Sequence, residues 1–193
     1  AKKQSVPRDT IERAVKKGAG LTGEAVNFEP ITYEGFAPHK VPVIVECLTD
    51  NRNRTAPEIR VLFKEGHLGA IGSVVWMFNH LGVVEAHRSA DPSLDLETVA
   101  IEAGAQNVEP LEGDEVVEGQ VGARFFCDRT DLDVVSKFLT KAKWAVTASE
   151  MSYVAKEPMA VSEAQRAEVT AFLNALDEHD DVHRVYTALK TEA

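Results

Sequence analysis

The chain has 193 residues, 44% of them hydrophobic, and a formal net charge of -10 from 21 Lys+Arg against 31 Asp+Glu. That apolar content is enough for one large or two small folded domains and excludes a disordered tail. The surplus of carboxylates excludes duplex nucleic acid over the whole surface, because such affinity comes from cations that neutralise phosphates, and no apolar run approaches the ~20 residues needed to span a bilayer.

The charge is unevenly spread. Residues 1–84 carry 11 Lys+Arg against 9 Asp+Glu, whereas residues 85–193 carry 10 against 22, so any contact with nucleic acid must be local and lie towards the N-terminal half. The opening AKKQSVPRD has no apolar core of the kind a secretory signal needs, and a cytoplasmic location is expected. Cys47 and Cys127 each sit in an apolar, strand-like run and are expected as buried free thiols without a disulfide.

In chain order, SVPRDTIERAVKKGAG (5–20) predicts a short amphipathic helix, with Ile11, Ala14 and Val15 on one stripe and Gly18 as the stop. A lone helix of this length is marginal in water and has to pack on something. The chain starts without Met, and an upstream part is expected. Next, ITYEGFAPHKVPVIVECLTD predicts two strands joined by a Pro-containing turn, the second nearly all apolar and therefore central in a sheet. Thr55 and Glu58 then fit a capping box around Pro57, opening a helix to about Glu65. Its buried face is Ile59, Leu62 and Phe63, and Arg60 and Lys64 lie four apart on another. Gly66, Gly69 and Gly72 mark a glycine-rich turn, after which SVVWMF and GVVEA read as a hairpin around Asn79 to Gly82.

The pattern restarts after Asp91-Pro92. DLETVAIEAGA predicts a helix, NVEPLEGDEVVEGQVGARFFCD two or three strands, DLDVVSKFLTKA a helix and WAVTASEMSYVA a strand. A helix capped by Ser162 and Gln165 and a strand at 182–188 follow. Counted from Val43 without the insertion, the order is βαββαβ, the ferredoxin-like split unit. The predicted fold class is α+β: a discontinuous ferredoxin-like domain over 28–88 and 159–193, a second small α+β domain inserted at 89–158, and a remnant N-terminal helix within 1–27. The last strand is expected beside 43–48.

No catalytic constellation stands out. There is no GxxxxGK[ST] or GxGxxG, no nucleophile elbow and no CxxC. His179 and His183 are four apart but bracket a change of pattern and have no clear third ligand, so neither a metal nor another cofactor is expected. The cluster Asp177, Glu178, Asp180 and Asp181 lacks the glycine and spaced oxygens of a calcium loop and reads as a solvated corner. The stretch LTDNRNRT is different. Arg52 and Arg54 lie where a loop feeds a helix N-terminus, and free N–H groups with the positive end of the macrodipole favour an anion there. The competing reading is that Asp50, Asn51 and Asn53 form turns while the arginines pair with carboxylates, and on the residues alone that ordinary reading is the stronger. Arg13, Lys16 and Lys17, with Lys2, Lys3 and Arg8, make a second basic feature. Aromatic residues able to stack on unpaired bases are absent from the expected basic side, since Tyr33 and Phe36 suit strand packing better.

VPRDTIERAVKKGAG, YEGFAP, VECLTDNRNRT, GSVVWMF with GVVE, EAGAQNVE and DEHDDVHRVY, in that order over nearly the whole chain, resemble the YebC family of probable transcriptional regulators. They are also similar to the mitochondrial translational activator of cytochrome c oxidase. The resemblance implies an N-terminal helical module, of which only the last helix is present, followed by two α+β domains. It implies a non-enzymatic role, either in binding DNA to regulate transcription or in assisting the ribosome through difficult stretches. The turn after YEG, usually GPGG in the family, is Ala37-Pro38-His39-Lys40 here, and the KNGGNLG-type loop is shortened to Lys64–Gly69. The expected partner is therefore DNA or ribosomal RNA, contacted through Arg52, Arg54, Arg60 and Lys64 with Arg13, Lys16 and Lys17. A protein-binding module that uses the cleft between the domains is a further alternative. A monomer without membrane contact is expected.

Overall fold

The computed structural model describes residues 27–116 and 119–190. The predicted N-terminal helix, and with it Arg13, Lys16 and Lys17, lies outside the described residues. The fold is mixed α+β, built on two four-stranded antiparallel sheets with four α-helices among the described residues.

In the first sheet β1 (Glu29–Phe36) and β2 (Pro42–Thr49) pair antiparallel from Glu29 opposite Thr49 to Phe36 opposite Pro42. The turn between them runs through Pro38–Lys40, with His39 and Lys40 at φ 61° and 63°. After α1 (Arg52–Leu62) the two-residue β3 (His67–Leu68) returns beside β1. Much later, α4 (Glu163–Asp177) leads to β8 (Val182–Thr187), which pairs with β2 as expected for the last strand. The order is β3-β1-β2-β8. Ile59 and Phe63, from α1 and the turn after it, and Val169, Phe172 and Leu176 of α4 bury one face of the sheet, over Val43, Val45 and Cys47. The opposite face of β2 presents Ile44, which is also fully buried. This two-sided burial is why VPVIVEC is an unbroken apolar run rather than an alternating one.

The second sheet corrects the expectation for residues 78–89. Of the predicted hairpin, SVVWMF forms no strand before Phe78, and the rest is a single strand, β4 (Phe78–Ser89), which belongs to the second sheet, between β6 and β7, not to the first. In the sequence Gly82 suggests a turn. Its actual constraint is a close approach: a Cβ there would lie 2.9 Å from Cys127 Sγ and 3.2 Å from Leu132 Cβ. The split βαββαβ unit is accordingly found in residues 78–155, as β4, α2 (Leu96–Ala103), β5 (Asn107–Pro110), β6 (Gln120–Cys127), α3 (Leu132–Lys141) and β7 (Ala145–Ala155), with strand order β5-β6-β4-β7. The first sheet lays out the same spatial pattern with β1 supplying an inner strand. Ala100, Ala103, Val135 and Leu139 from the two helices cover Val84, Ala86, Ala123, Phe125 and Cys127, and Trp144 closes this core edge-on to Phe125 at 5.4 Å.

A third, smaller cluster joins the two sheets: Ile44, Val74, Phe78 and Ala188, flanked by Tyr153 and Tyr186. Both cysteines are buried and free. Among the described residues, no helix is long and apolar enough to cross a membrane.

Candidate nucleic-acid interface

The helix carrying the predicted cations starts four residues earlier than the capping box suggests. Asn51 is the N-cap, its side-chain oxygen accepting from the N–H groups of Asn53 (3.1 Å) and Arg54 (3.3 Å). Thr55 is not the cap. It lies inside the helix, fully buried, and the reason is Asp181. The Thr55 hydroxyl donates to Asp181 Oδ2 at 2.6 Å, and the Thr49 hydroxyl lies 2.7 Å from Thr55 Oγ1 and 3.2 Å from the same carboxylate oxygen. The Thr49 oxygen also accepts from the Asn51 N–H at 2.9 Å.

Arg54 completes this knot. Its Nη2 lies 2.8 Å from both Asp181 oxygens and 3.1 Å from Asp50 Oδ1. Burial alone would raise the Asp181 pKa, but the donors from Arg54, Thr55 and Thr49 outweigh it and hold the carboxyl below its ordinary range. The charge of Arg54 is thus held by carboxylates, the ordinary arrangement for an arginine on an acidic protein. The LTDNRNRT and DEHDDVHRVY motifs meet at this point, across a separation of 126 residues for Thr55 and Asp181.

Arg52 faces away from this knot. Its only carboxylate partner among the described residues is Glu29, at 3.8 Å, with both side chains more than half exposed, and such a pair contributes little. Arg52 and Arg60 both act on the Tyr33 phenol, whose pKa burial nevertheless raises. Lys64 is exposed in the 3₁₀ turn that follows α1. The structure therefore brings Arg52 and Arg60 to one side of α1, adds Lys64 beyond its end, and turns Arg54 to the other side.

That other side is acidic. A cleft of about 690 Å³ is lined by Arg54 and Glu58 of α1 and by Glu178, His179, Asp180 and Asp181 beyond α4. Ligand atoms of Glu58, His179 and Asp181 lie within 4.8 Å of one another. His179 and Asp181 are already engaged, whereas the Glu58 side chain is about half exposed. His179 Nδ1 accepts the Asp181 N–H at 3.1 Å, its Nε2 faces Glu58 at 3.1 Å, and Asp181 serves Arg54 and the threonines. With a guanidinium beside it, the group serves as a structural anchor. Burial and then Asp181 push the Cys47 thiol up to about 11, which disfavours the thiolate form.

Two residues that the structure brings forward are hidden in the sequence. Asp181 reads there as one of four acids on a solvated corner. Trp76 reads as a strand residue of SVVWMF, yet it stands on a 3₁₀ turn, Val75–Met77, with 62% of its surface exposed. The available signal is the pair Gly72-Ser73, which interrupts any strand alternation just before it.

Residues 28–189 match the family described as TACO1/YebC second and third domain. A probable transcriptional regulatory protein of Pseudomonas syringae pv. tomato is 55% identical over 191 residues, covering 98% of this chain and 78% of its own length. One from Bdellovibrio bacteriovorus is 48% identical over the same shares, and one from Corynebacterium efficiens is 37% identical over 97% of this chain and 72% of its own. The crystal structure of a conserved hypothetical protein, Aq1575, from Aquifex aeolicus superposes with a TM-score of 0.73 at 34% identity, covering 98% of this chain and 76% of that one. The YebC-type motifs, the two α+β units and these relatives agree, and the chain belongs to the TACO1/YebC family of probable transcriptional regulatory proteins.

Proposed function

We propose that this chain is a non-enzymatic regulator of gene expression that contacts nucleic acid through the exposed cations of α1 and the turn after it. The observation carrying this reading is the separation of roles around the helix: Arg54 is tied to Asp181, whereas Arg52, Arg60 and Lys64 stand exposed on an otherwise acidic molecule. Exposed cations held by no more than one weak ion pair, Arg52 to Glu29, suit a phosphate backbone, which they can neutralise with release of counterions. The names of the relatives point to transcription and hence to DNA. The non-enzymatic part of the proposal is supported by the titratable cluster in the cleft, in which His179 and Asp181 are used to hold the fold together.

A second reading, association with the ribosome, is favoured by one observation. With a net charge of -10, the chain offers few cations to a duplex, and RNA loops with unpaired bases add stacking and hydrogen-bonded contacts to the electrostatic ones.

The test is fluorescence anisotropy of labelled duplex DNA and of structured RNA against the full chain over a range of salt. Binding should weaken with salt. The triple variant Arg52→Ala, Arg60→Ala, Lys64→Ala should weaken it further and lower the salt slope by roughly 0.7–0.9 for each phosphate that is no longer neutralised. Unchanged affinity and slope in the triple variant would overturn the interface. Tighter binding to RNA than to DNA would favour the second reading.

A further inference from the structure

Residues 69–77, between β3 and β4, hold the glycine-rich turn expected there but not the strand expected from Ser73 onward. They wrap around Glu34, which is 6% exposed. The Glu34 carboxylate accepts N–H groups from Gly72 (2.7 Å), Val74 (2.9 Å) and Val75 (2.8 Å), and its backbone carbonyl accepts that of Gly69 (2.8 Å). The Lys156 N–H closes the far end on the Met77 carbonyl at 3.0 Å. A segment fixed at this many points nevertheless leaves Ile71 93% and Trp76 62% exposed. The Trp76 indole N–H donates to the Ser73 carbonyl at 3.0 Å. The polar edge of the ring is thereby satisfied and its orientation held, while most of its surface stays in solvent. A large aromatic group held in place yet exposed is the form of a binding residue, because its ordering entropy has already been lost in the free protein.

The neighbourhood of the ring gives the chemistry of its ligand. Trp76 borders a pocket of about 380 Å³ that also takes in buried or half-buried Phe36 and Met159 and exposed Lys40, Lys156 and Glu157, a volume within the small-ligand range. Lys156 Nζ donates to the Trp76 backbone carbonyl at 2.7 Å, which ties one ammonium to the residue that carries the ring. Lys40 supplies the second from a backbone at φ 63°, a left-handed conformation easier for glycine than for lysine. An apolar slot walled by an indole, with two ammonium groups against one carboxylate, fits a flat aromatic ring attached to an anion. We propose that Trp76 stacks on one unpaired base of a single-stranded nucleic acid while Lys40 and Lys156 take the adjoining phosphate. Bases within a duplex present no free face, so the site selects single strands and tolerates any base. This inference rests on the nucleic-acid reading above and adds to it a site on a different element.

Tryptophan emission reads the site directly. The chain has two tryptophans, and Trp144 is only 3% exposed, so a Trp144→Phe variant of the full chain isolates Trp76. Titration with short oligo(U) and oligo(dU), which share the base and differ only in the sugar, should quench this emission to saturation, and quenching by either supports the site, the tighter one identifying the preferred sugar. Trp76→Ala should weaken oligonucleotide binding, followed by anisotropy, by roughly 5- to 150-fold, and Trp76→Phe should retain most of it. Lys40→Ala and Lys156→Ala combined should lower the salt slope by about 0.7, the value for one phosphate no longer neutralised. Oligonucleotide binding that leaves both the emission and the Trp76→Ala affinity unchanged would overturn this site and leave the α1 interface standing. Absence of binding to every oligonucleotide and duplex at low salt would remove both. Concentration-dependent self-association of the wild type that Trp76→Ala abolishes would assign the surface to a second copy of the chain and overturn the proposal.

Discussion

Asp181 and Glu34 are buried carboxylates whose job is to organise backbone and side chains rather than to react. In both, burial alone would raise the pKa, and hydrogen-bond donors lower it by more: Arg54 and two threonine hydroxyls for Asp181, three backbone N–H groups for Glu34. A carboxyl group whose pKa is lower folded than unfolded contributes stability above its unfolded pKa and loses that contribution as pH falls through the folded one. Acid should therefore destabilise the fold progressively below about pH 4, the ordinary range of carboxyl groups. Asp181→Asn should cost about 2–3 kcal/mol near neutral pH, because Arg54 then faces a neutral amide and a donor replaces one acceptor. Glu34→Gln should cost about 1–3 kcal/mol for a related reason, since its amide nitrogen would face a backbone N–H. Urea unfolding followed by circular dichroism at pH 7 and pH 3.5 checks both. The gap between wild type and each variant should narrow at the lower pH, and a constant gap would contradict the assigned role.

At the scale of elements, the N-terminus of α1 separates two readings of the same eight residues. The Thr55–Glu58 pattern satisfies the capping box, yet the helix begins at Arg52 because Asn51 caps it and because Asp181, reached only through β8, draws Thr55 into the interior. Asn51→Ala should thus cost about 1 kcal/mol, the usual loss of a side-chain cap, measurable by denaturant midpoint. The helices are legible because their signals are local: Ser162 and Gln165 do form the expected capping box of α4, and the periodicity of 132–141 does mark α3. β2 is legible as a central strand from its apolar run. The fate of β4 is not, because a glycine needed for close packing against Cys127 and Leu132 looks the same in sequence as one needed for a turn. The candidate site divides in the same way. The presence of arginines before a helix can be read directly, but which of them remains available cannot, since Arg54 finds its partner 127 residues away.

At the scale of the molecule, the question is whether the two sheets act as one body. The seam between them buries Ile44 at 0% and Phe78 at 5% exposure. It also sets Tyr153 edge-on to Tyr186 with ring centres 5.3 Å apart, and links Arg184 of β8 to Glu150 of β7. Tyr186 additionally donates to Glu46 at 3.0 Å, and burial first among its causes pushes its phenol up to about 12, so it remains a donor at any physiological pH. Chain connectivity reinforces the packing, since the first sheet is completed only by β8, after the second unit has been traversed. These features predict a single cooperative thermal transition. Ile44→Ala removes a fully buried side chain in β2, on the face that meets the second unit, and should cost about 2–5 kcal/mol. The informative readout is the shape of the transition: calorimetry should show one peak moved to lower temperature, because loosening the seam weakens both units together. A resolved second peak in the variant, with the second unit melting at its wild-type temperature, would mean that the sheets unfold independently, and that the Trp76 loop and the α1 cations can move relative to one another when a single nucleic-acid strand engages both.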